Sequence, residues 1–297
     1  MAKEKIGLVL EGGAMRGMYT AGVLDLLMDN GIKADLVIGV SAGAIHGCGY
    51  VSGQRGRSIR YYEKYRGDRR FMGLWSLLTT GELVGTKFCY EDIPLRLDPF
   101  DEKAFEASDI DFYLTVTNLE TGKAEYIHCD ELRVGAGMDY MRAGASMPLC
   151  SHIVEIGGNK YLDGGVADSI PYEAARALGC TRCIVVLTRP AGYLKSPVNL
   201  VPFRLVYRKY PRFVEAMGRR ATVYNTEVCA VEQAAKRGEV FLIRPSADLK
   251  VGRAERDVAK LRALYDLGCA DARTAMPALK TFVGGMPGKE AAHAAGI

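Results

Sequence analysis

The sequence predicts an α/β fold with a mainly parallel central sheet, and three observations support this. Two short apolar runs, Ile6–Leu10 and Leu36–Val40, are rich in branched residues, which is typical of parallel strands buried on both faces. Each run leads through glycines into a segment with helical spacing of apolar residues. This strand–helix–strand–helix order favours a right-handed parallel unit. Both turns should therefore lie at the carboxyl ends of neighbouring strands, where open α/β sheets place their sites.

The first strand runs into a glycine-rich turn at residues 11–17. A helix is predicted after this turn, with Ala21, Leu24 and Leu27 at helical spacing and Gly31 as its C-terminal cap. Since glycine has no Cβ, such a turn lets a polar ligand atom approach the backbone N–H groups closely. The turn is therefore a candidate binding loop.

The second strand ends in Gly39-Val40-Ser41-Ala42-Gly43, the G-x-S-x-G pattern in a strand–turn–helix context. In that context the sharp turn strains Ser41 and points its hydroxyl off the end of the strand. Gly39 and Gly43 lack the Cβ atoms that would collide where the helix folds back. The positive end of the following helix favours negative charge at the serine. Ser41 is therefore the candidate nucleophile.

The middle of the chain predicts two hairpins and then a return to a buried strand. The second hairpin delivers Asp163, followed by Gly164 and Gly165, onto a loop. The small residues before it, from Arg142 to Pro148, suit close packing beside a site. The predicted strands lie at 112–117, 124–128, 153–156, 160–162 and 184–187, and a helix lies at 171–178.

The chain changes character after Pro190, where prolines and basic residues become frequent. We predict a catalytic core at 6–190 and a mainly helical region at 191–297 that packs on this core. The sequence assigns no chemistry to the second region. Its predicted elements are a long helix at 213–236, a strand at 240–243, a largely helical stretch at 253–279 and a frayed tail from 284.

Bulk composition restricts the class of protein. The chain has 297 residues, 48% of them hydrophobic, and a formal charge of +4 that does not by itself indicate nucleic acid binding. No apolar run approaches the ~18–20 residues that span a bilayer, and the N-terminus lacks the pattern of a signal peptide. We therefore expect a cytoplasmic protein whose eight cysteines are reduced, with Cys180 and Cys183 as buried structural thiols.

Two basic stretches, 55–70 and 204–220, would favour contact with anionic lipid surfaces, so peripheral membrane association is a hypothesis. The apolar stretch 71–83, which contains Trp75, is either a substrate rim or membrane-facing surface, or a turn packed on the core. A solvated helix remains the simpler interpretation of the first basic stretch.

Ester hydrolysis through Ser41 needs donors for the oxyanion. Backbone N–H groups of Gly12, Gly13 and Ala14 can supply them, because the glycines let a carbonyl oxygen come close. Arg16 either anchors this loop and adds positive potential or forms a structural ion pair. Gly17, Gly39, Gly43 and Gly165 are the supporting glycines of the three loops.

The general base is open between a histidine and a carboxylate. A conventional triad places histidine last in chain order, but His46, His128 and His293 are poorly placed, and His152 is only the least implausible. A carboxylate can take the serine proton directly if it lies within about 3 Å in a site that excludes water. Asp163 suits this role, since Gly164 and Gly165 let its loop crowd against the serine turn.

The sequence resembles bacterial members of the patatin-like phospholipase family. Four motifs occur in the order of that family and cover residues 6–190: 12–17, 39–43, Ala145-Ser146-Met147-Pro148 and Asp163-Gly164-Gly165. The resemblance implies a three-layer α/β/α fold, a Ser–Asp dyad without histidine and hydrolysis of lipid acyl esters. It makes Ser41 the nucleophile, Asp163 the base and the backbone of 12–14 the oxyanion hole.

One residue departs from the family pattern, since Ala14 stands where a third glycine is usual.

Two other functions compete with a serine acyl hydrolase. A strand, glycine-rich turn and helix also begin a dinucleotide or phosphate site, but the G-x-G-x-x-G spacing and a P-loop lysine are missing. A non-catalytic protein could use the same fold to hold a lipid. We expect no metal or cofactor, because no cluster of residues has ligand spacing. The identity of the lipid and the oligomeric state are left open.

Overall fold

The chain forms one eight-stranded sheet flanked by ten α-helices in a computed structural model that describes residues 4–284. The strands are β1 (Ile6–Leu10), β2 (Leu36–Val40), β3 (Asp111–Asn118), β4 (Ala124–His128), β5 (Val154–Ile156), β6 (Asn159–Asp163), β7 (Arg182–Val186) and β8 (Val240–Ile243). The helices are α1 (Gly17–Asp29), α2 (Ala42–Val51), α3 (Arg57–Tyr65), α4 (Leu74–Thr80), α5 (Glu102–Glu106), α6 (Gly137–Gly144), α7 (Tyr172–Ala177), α8 (Val201–Val206), α9 (Pro211–Lys236) and α10 (Val258–Val283).

The sheet is mostly parallel, as the sequence predicts. Its strands run in the order β5-β6-β3-β2-β1-β7-β8, and β4 pairs with β3 as well. The pairs β1–β2, β2–β3, β1–β7 and β7–β8 are parallel, because helices connect these strands. The two predicted hairpins, β3–β4 and β5–β6, are confirmed as antiparallel pairs.

Helices cover both faces of the sheet, which confirms the three-layer α/β/α fold. Side chains of β1 alternate between two cores: Leu8 and Leu10 pack in the core that includes α1 and α10, while Val9 packs with α7 and α9 on the other face. All five residues of β1 and all five of β2 are buried. Burial on both faces explains why these strands read as continuous apolar runs.

Residues beyond 190 complete the sheet and the helical layer. Strand β8 pairs with β7, and α10 crosses α1 at a point where each helix presents a glycine, Gly22 and Gly268, to the backbone of the other. Near the crossing, the Tyr19 hydroxyl donates to Asp271 at 3.0 Å. Within residues 4–284, no helix combines the length and the apolar character that crossing a bilayer requires.

Some segments differ from the sequence prediction, and one prediction falls outside the described residues. Helix α10 begins at Val258 rather than 253, because the Asp257 side chain caps it by accepting the N–H groups of Ala259 and Lys260. Residues Phe88–Leu97 form a π-helical segment that no periodicity indicated. The predicted frayed tail, apart from Gly284 itself, lies outside the described residues.

The basic stretch 55–70 is largely engaged in structural contacts. Arg57 and Arg60 both face the Asp98 carboxylate, and the Arg60 Nε–Asp98 Oδ2 distance is 2.7 Å. Arg66 is buried and donates to backbone carbonyl oxygens of the segment before α10. Most of the charge that suggested a membrane surface in this stretch therefore stabilises the fold.

Candidate active site

Ser41 occupies a strained turn between β2 and α2. Its φ of 52° is positive and, with a ψ of −120°, gives a sparsely populated conformation that costs about 1–3 kcal/mol. The turn is held because α2 folds back tightly on the sheet: a Cβ at Gly39 would collide with the backbone of Ala44, and one at Gly43 with the carbonyl oxygen of Leu10. Local packing of these two glycines thus fixes the serine in its orientation.

Asp163 reaches Ser41 through the register of β3. Val40, the last residue of β2, pairs with Thr115, and Asp163, the last residue of β6, pairs with Val116. Strand β4 occupies the opposite edge of β3, so β2 and β6 share one edge and meet end to end. Adjacent positions on β3 therefore bring the serine and the aspartate together.

The Asp163 carboxyl is buried and oriented by its own loop. Its Oδ1 accepts the N–H of Gly165 at 2.8 Å, and its backbone N–H donates to Ser146 at 2.9 Å. Burial raises the pKa of this carboxyl, whereas the neighbouring Ser41 side chain and the positive charge of Arg220 lower it. The arrangement holds a carboxylate of increased basicity beside the serine.

The glycine-rich loop lies against the Ser41 turn. A Cβ at Gly12 would lie 3.3 Å from that of Ser41, and one at Gly13 would lie 2.9 Å from the Thr188 hydroxyl. Ala14 has a φ of 48° and so adopts a conformation that favours glycine. Gly12, Gly13 and Ala14 line a cavity of about 240 Å³ together with Ser41 and Asp163.

A second cavity meets the first at the serine. It has a volume of about 110 Å³, and Ser41 and Ala14 line both cavities. The second cavity is mostly apolar, and its side chains come from α2, α3, α6 and the segment around Phe71. Ser41 thus stands between an apolar cavity and a polar one.

None of the histidines within residues 4–284 lines either cavity. His46 is buried, which lowers its pKa to about 3, and it shares a 2.9 Å hydrogen bond with Ser58. His152 is 67% exposed, and His128 lies near Asp111, at the end of β3 remote from Ser41. His293 lies outside the described residues. Of the candidate bases named from the sequence, Asp163 is therefore the one that lines a cavity together with Ser41 among the described residues.

Arg16 does not form the ion pair that one interpretation expected. It lines the larger cavity, and no salt bridge involves it within the described part of the chain. Burial, followed by the charges of Arg189 and Arg253, lowers its pKa to about 10. Gly17, the supporting glycine next to it, packs against Ala42 and His46, so it joins the loop to α2.

The C-terminal third contributes side chains that sequence reasoning did not assign. Arg220 of α9 donates to the carbonyl oxygen of Gly165 and lines the cavity with Ser41. The sequence did contain one indication that Arg220 faces inward. Phe213, Met217 and Tyr224 form a buried stripe at helical spacing, and Arg220 falls on the same face of the helix. The other unassigned polar residues of the cavity are Glu11, Ser169, Arg189, Tyr193, Lys195, Tyr224 and Arg253.

Comparison with known families matches two parts of the chain. A model described as patatin-like phospholipase matches residues 8–176, which hold the Ser41 turn, the glycine-rich loop and Asp163. A second model, described as a domain of unknown function (DUF6363), matches residues 210–284.

Curated relatives are similar at moderate identity. The chain is 29% identical over 199 residues to the uncharacterized protein YjjU of Escherichia coli, covering 65% of this chain and 54% of that protein. It is 26% identical over 287 residues to lysophospholipase NTE1 of Saccharomyces cerevisiae, covering 90% of this chain and 16% of the yeast protein. The chain thus spans about half the length of the first relative and a small part of the second. A crystal structure of VipD from Legionella pneumophila aligns with a TM-score of 0.44 at 12% identity, over 92% of this chain and 66% of that chain.

Proposed function

The chain belongs to the patatin-like phospholipase family, and from that premise we propose that it hydrolyses lipid acyl esters through a Ser41–Asp163 dyad. One observation carries the proposal. A strained serine and a buried carboxylate stand at adjoining strand ends, where an apolar cavity meets a polar one. The lysophospholipase name of the yeast relatives supports a monoacyl phospholipid as substrate.

The reaction starts with transfer of the Ser41 proton to Asp163. The serine oxygen forms a bond to the acyl carbon, and the charge that develops on the carbonyl oxygen is stabilised by N–H groups of Gly12, Gly13 and Ala14 and by the N-terminus of α2. The carbon–oxygen bond of the ester breaks, and the alkoxide takes the proton from Asp163. Water then loses a proton to Asp163, and its oxygen forms a bond to the acyl carbon. The bond between this carbon and the Ser41 oxygen breaks, the serine oxygen takes the proton from Asp163, and the fatty acid is released.

The apolar cavity fits the acyl chain. Its lining includes Ile45, Phe71 and Met141, so the chain would lie among aliphatic and aromatic side chains rather than in water. Since Ser41 lines this cavity too, a chain bound there brings its ester carbonyl to the nucleophile. The alcohol portion of the substrate would then occupy the polar cavity.

Exposed apolar side chains near the cavity support peripheral contact with a membrane. Leu74 and Leu78 of α4 are 65% and 75% exposed, and Leu205 of α8 is 70% exposed. Residues that flank both helices, such as Leu83 and Val198, line the polar cavity. Leu205→Glu should weaken sedimentation with vesicles, whereas Ala270→Glu on the exposed face of α10 should not. Equal vesicle binding by both variants would refute this contact.

The proposal is tested by hydrolysis of a monoacyl phospholipid in detergent micelles. We expect Ser41→Ala to reduce the rate to background and Asp163→Asn to reduce kcat by about a hundredfold to ten-thousandfold, since a general base contributes that much. Asp168→Asn is the matched control, because Asp168 is also a carboxylate with a pKa raised by burial but does not line the cavity. A folded wild-type protein that binds the lipid without cleaving it would instead support a lipid-binding function.

A further inference from the structure

The polar cavity beside Ser41 carries an excess of positive charge. Its lining includes two acidic residues, Glu11 and Asp163. Five cationic side chains face it from different parts of the chain: Arg16, Arg189, Lys195, Arg220 and Arg253. They come from the glycine-rich loop, the segment after β7, α9 and the segment before α10, so the fold collects them at one place.

No salt bridge pairs these cations within the part of the chain that the structure describes, so the protein offsets their charge only in part. Within residues 4–284, the buried Nε atoms of Arg16 and Arg189 have no hydrogen-bond partner. Glu11 accepts the N–H of Thr188, and its charge offsets part of the repulsion among Arg16, Lys195 and Arg220 without forming a salt bridge with them. Arg220 and Lys195 contact a neutral carbonyl and a neutral hydroxyl, respectively.

Burial and mutual repulsion make this arrangement costly when the cavity is empty. Burial, followed by the charge of Arg220, lowers the pKa of Lys195 to about 7. Burial and the charge of Arg253 also lower the pKa of Arg220, whereas the charges of Asp163 and Glu11 oppose this. Clustered cations that are buried without counter-ions are a feature of sites for anionic ligands.

The donor set fits a phosphate rather than a quaternary ammonium. Arginine and lysine side chains are the usual partners of phosphate oxygens in proteins. The aromatic faces that could hold an ammonium are covered: Lys195 Nζ lies 3.6 Å from the ring centre of Tyr224, and the Arg189 guanidinium carbon lies 4.3 Å from that of Tyr193. A choline headgroup would meet five cationic side chains and only two carboxylates.

We propose that this cavity binds the phosphate of a lipid headgroup with net negative charge, so that the enzyme prefers anionic over zwitterionic glycerophospholipids. The inference rests on the proposed function, because it assigns the alcohol portion of the ester to this cavity. The acyl chain lies on one side of Ser41 and the phosphate on the other. Residues from 189 to 253, which lie outside the part of the chain that matches the patatin model, then determine headgroup preference.

The test compares three substrates with one acyl chain: oleoyl lysophosphatidic acid, oleoyl lysophosphatidylcholine and monooleoylglycerol. Each is presented at low mole fraction in neutral detergent micelles, which keeps the surface charge constant. We expect the wild type to have a higher kcat/KM for the anionic lipid than for the choline lipid. Lys195→Met and Arg189→Gln should each reduce kcat/KM for the anionic lipid relative to monooleoylglycerol by about tenfold to a hundredfold, the usual effect of a charged hydrogen bond, and should also reduce the preference over the choline lipid.

Arg219→Gln is the matched control. Arg219 is adjacent to Arg220 on α9, but its side chain is 69% exposed and lies 3.8 Å from Glu215. It should leave the substrate ratio unchanged. A ratio that is near unity in the wild type, or that is the same in Lys195→Met as in the wild type, overturns the proposal.

Inorganic phosphate separates a headgroup site from a site for free phosphate. If the cavity holds the headgroup, phosphate should inhibit hydrolysis of the anionic lipid competitively, and Lys195→Met should weaken this inhibition. Phosphate that binds and changes hydrolysis of monooleoylglycerol and lysophosphatidic acid equally would assign the cavity to free phosphate and overturn the headgroup proposal.

Failure of every ester to react would refute the proposed function instead. In that case, calorimetric binding of phosphate that Lys195→Met abolishes would still support the cationic site, and absence of binding would refute it.

Discussion

Ser41 and Ala14 are held in backbone conformations that most residues avoid. Their φ angles of 52° and 48° are both positive, and both residues line the two cavities. Such strain persists where the surrounding structure fixes it, and it is concentrated at functional sites. For Ser41, sequence reasoning anticipated this, because the G-x-S-x-G pattern carries a known geometry. The conformation of Ala14 depends on how its loop packs against the Ser41 turn, which the sequence does not encode locally.

The pH profile of hydrolysis should report Asp163. The base must be ionised, and burial raises its pKa, so kcat/KM should fall as the pH decreases through a value above that of an ordinary aspartate. Arg220 favours the ionised form, so Arg220→Met should move this limb to higher pH. A neutral ester such as monooleoylglycerol is the substrate, because it does not titrate.

Arg219→Met serves as the control for that profile, since Arg219 is exposed and pairs with Glu215. It should leave the acidic limb in place. An acidic limb that is unchanged in Arg220→Met would show that another group limits the reaction.

At the scale of elements, the sequence could predict the structures that depend on local features and not those that depend on distant contacts. The strands β1 and β2, the helix after each and both hairpins were predictable, because periodicity and glycine positions are local properties. The π-helical segment at Phe88–Leu97 was not, since Pro94 within it removes the usual helix signal. The structural use of the 55–70 cations was also hidden, because Asp98 lies far along the chain.

Substitution of two glycines in α2 separates packing from helix propensity. In Gly43→Ala the new Cβ meets the backbone of β1, so we expect a loss of about 3 kcal/mol or more in the free energy of unfolding, or failure to fold. Gly49→Ala is the control in the same helix, where no other atom lies within 4 Å of the added Cβ. It should stabilise by about 0.5–1 kcal/mol through propensity alone. Urea unfolding measures both, and equal effects would contradict the close contact.

For the whole molecule, the C-terminal third is part of both the sheet and the site. Strand β8 extends the sheet, α10 packs on α1, and Arg220 of α9 reaches the loop of Asp163. The sequence predicted the two long helices and the strand of this region, but not the short helix α8, and assigned the region no chemistry. The basic run 204–220 indicated a charged surface, and only the packing of α9 shows that Arg220 faces the cavity while Arg219 faces solvent.

The crossing of α1 and α10 should tolerate no added side chain at Gly268. A Cβ there would collide with the carbonyl oxygen of Tyr19, and this overrides the gain in helix propensity. We expect Gly268→Ala to lower the free energy of unfolding by about 2 kcal/mol, within the range for overpacked cores. Ala270→Leu, on the exposed face of the same helix, should change it by less than about 0.5 kcal/mol. Unfolding of Gly268→Ala at the wild-type urea midpoint would refute this packing.

Covalent labelling with a fluorophosphonate probe tests the central claim most directly, because the probe reacts only with an activated serine beside a working oxyanion site. Wild-type protein should be labelled at Ser41, Asp163→Asn should label far more slowly, and Ser41→Ala should not label. Mass spectrometry of the labelled peptide identifies the residue. Labelling that persists in Ser41→Ala, or a folded wild type that does not react, would contradict Ser41 as the nucleophile.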